Sequence, residues 1–345
     1  MSGGFYRGRR VMITGGLGFI GSNLAIRLVE LGADVLLVDS LIPDAGGNLA
    51  NIEPVKDRLR VNVADIRQAS TMNWLVRGQD VIFNLAGQVS HIDSMRDPHT
   101  DLEVNCRAQL TLLEACRHHN PGAKVVFAGT RQVYGRPDAL PVTEQHLVRP
   151  TDVNGINKVA GEYYHLVYNN VFGVRACSLR LTNVYGPRQL IRHNRQGFIG
   201  WFIRLALDRR EIQVFGDGSQ VRDFVYVDDV ADAFLRAGAT DAVNGEVFNV
   251  GGNEHWTHGD LVALLVSLSP GATFRFVEWP AEKKVIDIGS FYADSSKFRA
   301  ATGWTPAVRL GEGLERTLAF YRAHYDDYVV PEARRHDRRG QETPS

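Results

Sequence analysis

The sequence predicts an α/β protein: a doubly wound parallel sheet with a smaller C-terminal lobe interleaved with it. Short apolar runs of strand length alternate with segments of helical apolar spacing through the first half of the chain. The first run ends in glycines and feeds directly into a helix. The second run closes on an acidic residue, Asp39, about 20 residues further on, the separation found in glycine-turn βαβ units.

In chain order, residues 11–13 read as a buried strand and residues 19–31 as an amphipathic helix closed by Gly32. Residues 35–38 form the next strand. Strands are then expected over 80–85, 124–128 and 174–181, and helices over 102–118 and 158–171. From about Gln189 the pattern loosens into short elements separated by Gly-rich turns. The expected division is a sheet domain over 1–188, with returns near 225–252, and a mainly substrate-binding lobe over 189–325. The polar, charged segment 326–345 reads as a disordered tail.

The composition excludes several function classes. Of 345 residues, 44% are hydrophobic and 23% charged, an ordinary globular balance. The 39 basic and 39 acidic residues cancel, so nothing resembles the footprint of a nucleic-acid binder. An anionic ligand must be held by a few local cations. Cys106, Cys116 and Cys177 form no CxxC pair and read as reduced core thiols, so no metal site is expected. No apolar run reaches the roughly 20 residues needed to cross a bilayer, and no signal peptide is legible. A cytoplasmic enzyme with no membrane partner is the expectation.

The turn Thr14-Gly15-Gly16-Leu17-Gly18-Phe19-Ile20-Gly21 supplies what a dinucleotide needs. Gly15 allows the tight turn, Gly18 lets backbone approach a pyrophosphate, and Gly21 lets helix pack on strand. The free N–H groups at Phe19 and Ile20 favour the pyrophosphate's charge. Asp39 accepts a ribose 2′-hydroxyl and repels a 2′-phosphate, so NAD is expected in preference to NADP.

With these residues begins a resemblance to the extended short-chain dehydrogenase/reductases, specifically the NAD-dependent nucleotide-sugar epimerase/dehydratase family. It extends over roughly residues 9–323. Asp65-Ile66, Asn84-Leu85-Ala86-Gly87, Asn105 and Val133-Tyr134-Gly135 fit it. So do 180–187 and the run Gly216-Asp217-Gly218 through Arg222-Asp223-Phe224, Tyr226-Val227 and Asp229. The resemblance implies a Rossmann fold. It places Asp65 and Ile66 near the adenine and Leu85 and Ala86 beside the cofactor, with Lys158 touching it. It implies that a sugar hydroxyl is oxidised transiently to a ketone. In the family a tyrosine, activated by a lysine, takes the hydroxyl proton. Thr130 and Lys158 match the Ser/Thr and lysine positions.

The tyrosine is absent. The family's Tyr-x-x-x-Lys here reads Asn154-Gly155-Ile156-Asn157-Lys158. An amide does not ionise usefully, so Asn154 orients substrate by hydrogen bonds and transfers no proton. Three explanations stand. His91 or a desolvated Lys158 replaces the tyrosine, or the proton passes through Thr130 and a water, or redox chemistry is lost and binding kept. A rim histidine bonded only to backbone or water is the plain alternative for His91. Thr130 is followed by Arg131-Gln132 where the family's 4,6-dehydratases carry an acid pair, which disfavours dehydration.

Arg222 matches the family's diphosphate arginine, and Lys284 falls where a second phosphate cation is common. Asn183 is expected to bond phosphate or sugar, and Arg131 a substrate oxygen or carboxylate. The expected function is an NAD-dependent epimerase of a nucleotide-diphosphate sugar, inverting C4. The alternatives are a ketoreductase or other modifying enzyme on a nucleotide sugar, or a degenerate binding protein. By analogy within the family the partner expected besides the substrate is a second copy, giving a homodimer.

Overall fold

The computed structural model describes residues 4–329. In order come β1 (Arg10–Thr14), α1 (Phe19–Glu30), β2 (Asp34–Asp39), β3 (Arg60–Val63), α2 (Ala69–Leu75) and β4 (Val81–Asn84). Two short helices, α3 (His91–Arg96) and α4 (Pro98–Leu102), lead to α5 (Ala108–His119), β5 (Lys124–Thr130), α6 (Val153–Phe172) and β6 (Ala176–Leu181). The second half continues through β7 (Asn183–Tyr185), α7 (Phe198–Leu207), β8 (Glu211–Phe215), β9 (Val221–Tyr226), α8 (Val227–Ala239) and β10 (Val247–Val250). It closes with β11 (His255–Thr257), α9 (His258–Ser267), β12 (Thr273–Val277), α10 (Ala281–Lys284), α11 (Ser296–Thr302), α12 (Leu310–Ala323) and α13 (Tyr325–Val329).

A seven-stranded parallel sheet runs β10-β6-β5-β4-β1-β2-β3. Alternate strand residues face opposite sides. Val11 and Ile13 pack with Leu24 and Leu28 of α1 and Phe234 of α8, while Met12 packs with Leu112 and Cys116 of α5. Each fully buried Leu or Phe contributes roughly 1.5–3 kcal/mol, so both faces are strongly specified. Strand order reverses between β1 and β4, and the C-terminal strand ends there open the crevice where such sheets bind ligands.

The smaller lobe holds a three-stranded sheet, β11-β9-β7, and a pair, β12-β8. Its core gathers Tyr185, Phe202, Ile203, Leu261, Leu265, Leu314 and Tyr321. The chain returns to the main sheet through α8, which covers one face, and β10, which adds the edge strand.

Several elements differ from expectation. The single helix over 102–118 is interrupted: a π-helical turn, Glu103–Arg107, separates α4 from α5. Asn105 sits in that turn and its amide donates to Gln88 O at 2.9 Å, a pull toward the site that suits a π-bulge. α6 begins earlier than Lys158, because Asp152 caps it by accepting from Gly155 N at 2.7 Å. Asn154 therefore lies in its first turn. The segment expected to fray from 326 instead starts within α13, where Tyr328 is buried and donates to Asn51 Oδ1 at 2.7 Å. The rest of that expected tail, 330–345, lies outside the described residues.

Candidate active site

The turn after β1 is shaped to take a pyrophosphate. Gly15 has φ +66°, and a Cβ there would lie 2.9 Å from Ala86 N. A Cβ at Gly21 would collide with Gly15 O. The N-cap of α1 is Gly18, which has no side chain to satisfy the first-turn N–H groups at Phe19 and Ile20. Asp39 Oδ2 accepts from Leu17 N at 3.0 Å and Oδ1 from Leu41 N at 2.9 Å. Burial pushes its carboxyl up, against those two hydrogen bonds. Asp39 thus fixes the glycine turn while each oxygen keeps a lone pair for a ribose hydroxyl.

Thr14 joins β1 to β4: its hydroxyl donates to Asn84 Oδ1 at 2.8 Å and accepts from Leu85 N and Ala86 N at 3.1 and 3.2 Å. Asp65 is clasped by Arg67, whose Nε lies 2.9 Å from Oδ2, and that bond holds the carboxyl below its ordinary value. Ile66 is buried beside it. The glycine cradle, the open helix N-terminus and Asp39 together fit an NAD, with Leu85 and Ala86 lining the path toward Lys158.

At the broken motif, Asn154 is buried and both amide hydrogens are engaged. Nδ2 donates to Gln88 O at 2.8 Å and to Asp101 Oδ2 at 3.0 Å, leaving Oδ1 without a protein donor among the described residues. Asn157 donates to the other oxygen of Asp101 at 2.8 Å. Lys158 stands one turn further along α6. Its Nζ reaches Ala128 O at 3.4 Å and lies 5.2 Å from the Phe127 ring centre. Burial pushes Lys158 down to about 8, with the Asp101 charge opposing. A Cβ at Gly87 would sit 2.7 Å from Lys158 Nζ and 2.8 Å from Asn105 Oδ1, so a glycine keeps that approach open.

Thr130 ends β5, and its Oγ1 accepts from Gln132 N at 3.2 Å, which leaves its own O–H to donate. Beside it is an arginine pair. Arg131 donates to Asn183 Oδ1 at 3.1 Å and lies over Phe291, yet its NH1 is buried and unpartnered. Arg222 is 4% exposed, donates to Val221 O and Gly289 O, and its Nε is likewise orphaned. Burial and the mutual repulsion of the pair push Arg131 down to about 9. Asp223, with an orphaned Oδ1, is raised by burial to about 6, and His258 is lowered by burial to about 3. Orphaned buried donors are costly, and a diphosphate would satisfy them.

Two sequence candidates, Lys284 and His91, are less buried than these. Lys284 is exposed on α10 and makes no side-chain hydrogen bond or ion pair among the described residues. Its segment instead sends Asp287 to Arg222, at 3.6 Å. His91 opens α3 and places Nδ1 3.0 Å from Asp152 Oδ2, without an aligned hydrogen bond. Sequence reasoning missed Asp101, Asp152, Asp223 and His258. Only Asp223 carried a local signal, as the neighbour of Arg222.

The chain matches the description of the NAD-dependent epimerase/dehydratase family over residues 11–251. It is 36% identical over 314 residues to a UDP-glucose 4-epimerase of Mycolicibacterium smegmatis, covering 91% of this chain and 98% of that protein. Its structure is similar to a UDP-glucose 4-epimerase of Thermotoga maritima with UDP-glucose, at TM-score 0.82 and 30% identity, covering 92% of this chain and 99% of that one. It is also similar to a dTDP-glucose 4,6-dehydratase of Streptomyces venezuelae with NAD bound, at TM-score 0.84 and 29% identity, covering 93% and 99%.

Proposed function

Because the chain belongs to the NAD-dependent epimerase/dehydratase family, we propose that it is an NAD-dependent 4-epimerase of a nucleotide-diphosphate sugar. The observation that carries this reading is the pairing of two sites: a glycine cradle for NAD at the β1–β4 switch point, and two buried arginines with unpartnered N–H groups beside Thr130. Bound NAD supplies a reversible acceptor for the carbon-bound hydrogen of the sugar.

The chain's own residues do the rest. Arg222, Arg131 and Asn183 hold the diphosphate end, and Thr130 and Asn154 Oδ1 orient the hydroxyl that loses its proton. The Lys158 ammonium stabilises the developing alkoxide in a site of low polarity. Dehydration lacks its acid and base: Arg131 is tied to Asn183, and Gln132 donates to Asp152 Oδ2 at 2.9 Å. The relatives named for UDP-glucose make UDP-hexoses the first substrates to try. UDP-glucose and UDP-galactose should interconvert with catalytic NAD and no accumulating NADH, followed by NMR. Conversion to a keto-sugar, or none with any nucleotide sugar, contradicts the reading.

No helix among the described residues is long and apolar enough to cross a membrane, and a cytoplasmic location is part of the proposal. So is a homodimer. α6 leaves Ile156, Tyr163, Val167 and Val171 exposed on one helix face, the kind of apolar stripe a second copy covers. For the cofactor, NAD is expected to bind more tightly than NADP, and Asp39→Ala to erase the difference while weakening both, since the turn loses two hydrogen bonds. Titration calorimetry with each dinucleotide measures this; equal affinities in the wild type contradict it.

A further inference from the structure

An epimerase of this kind needs a group that takes the hydroxyl proton and gives it back, and Asn154 has none to offer. We propose, on the epimerase reading above, that His91 is that group and that Asp152 is its positioning residue. His91 is placed for it by bonds on either side in the chain. Three residues before it, Gln88 O accepts from Asn154 Nδ2 at 2.8 Å; three residues after it, Ser94 Oγ accepts from Asn154 N at 3.2 Å. The first turn of α3 is therefore clamped onto the first turn of α6, at the position where the resemblance puts the lost tyrosine.

Asp152 is a buried carboxylate with three partners. Oδ1 accepts from Gly155 N at 2.7 Å, and Oδ2 takes both Gln132 Nε2 at 2.9 Å and His91 Nδ1 at 3.0 Å. Burial pushes Asp152 up, but the His91 contact and these hydrogen bonds outweigh it and leave the carboxyl below its ordinary value. As an anion beside Nδ1 it favours the tautomer protonated there, with Nε2 as the acceptor, the division of labour of an Asp–His pair. Nε2 has no protein partner among the described residues, and the His91 side chain is 36% exposed. Nδ1 and Oδ2 are close but not aligned. Gln132 ties the pair to Thr130 within one short turn. In this reading Lys158 holds the developing alkoxide and leaves the proton transfer to His91.

In the oxidising half-reaction the sugar O–H bond breaks and its proton passes to His91 Nε2, directly or through Thr130, giving an imidazolium. Bound NAD would accept the carbon-bound hydrogen with its two electrons as the C–O single bond becomes C=O. After the ketone presents its other face, both transfers reverse and His91 is neutral again.

The NAD-loaded protein tests this in three ways. His91→Gly should lower kcat by about 10²–10⁴, and added imidazole should restore about tenfold or more of it. A merely structural histidine would show no such rescue. Asp152→Asn keeps the helix cap, so kcat should fall with KM little changed. Independently of turnover, carbethoxylation of His91, followed by peptide mass spectrometry, should slow severalfold when UDP-glucose saturates the site. A His91→Gly enzyme within threefold of a turning-over wild type, or a modification rate indifferent to UDP-glucose, overturns the assignment of His91 alone. A wild type that epimerises no nucleotide sugar overturns the reading of the whole site.

Discussion

Lys158→Met is expected to lower turnover by about 10²–10³, the typical loss on removing one preorganised charge from a developing oxyanion. The lysine is 7% exposed and packed between Ala128 O and Phe127, so methionine fills nearly the same space. The fold should not suffer. Its folded pKa is depressed to about 8, so the ammonium costs stability at every pH below that, a cost that fades as pH rises through 8 toward the unfolded value. Removing the charge relieves that cost near pH 7. The opposing effect is on Asp101, which loses a nearby cation. Steady-state kinetics beside thermal unfolding separates the two effects. Unchanged kcat in a folded variant would remove Lys158 from the mechanism.

Arg222→Ala should weaken nucleotide-sugar binding by about 2–5 kcal/mol, roughly 30- to 5,000-fold in Kd, while NAD affinity stays within a few fold. The guanidinium is almost wholly buried, and its Nε is unpartnered. Asp287 at 3.6 Å and Asp223 offset its charge only in part. Removing it leaves Arg131 as the remaining cation of the pair and Asp223 less compensated. Arg222→Lys should recover part of the loss, because the charge returns without the planar fork. Calorimetry with UDP-glucose and with NAD gives both affinities from one preparation. Unchanged UDP-glucose affinity would mean that Arg222 serves only the strand packing around Gly289 and Val221.

What the sequence made legible is what short spacing encodes. The glycine turn, Asp39 at the end of the second strand and the alternation of strand and helix depend on neighbours within one βαβ unit. Arg222 stands inside a dense local motif, and the gap left by Asn154 is visible because Lys158 lies four residues on. The surroundings of that gap are not legible. Asp101 reaches Asn154 and Asn157 across more than fifty residues, and Asp152 meets His91 across sixty-one. Neither pairing has a sequence period. The π turn at Glu103–Arg107 is hidden for a similar reason: Asn105 is drawn out of helical register by Gln88 O, a partner remote in sequence. Lys284 is legible as a charge, but its exposure is not. Its charge falls at the spacing of a ligand group, whereas the segment's contact with Arg222 is made by Asp287.

The central claim is that hydrogen leaves one face of a sugar carbon and returns to the other without meeting solvent. Incubating the NAD-loaded protein with UDP-glucose in deuterated water, and reading the sugar protons by NMR, tests it most directly. The expected product is UDP-galactose with every carbon-bound proton retained, no deuterium on the ring and no build-up of NADH. Deuterium entering the carbon beside the oxidised position, or a keto-deoxy sugar in place of the epimer, would contradict it.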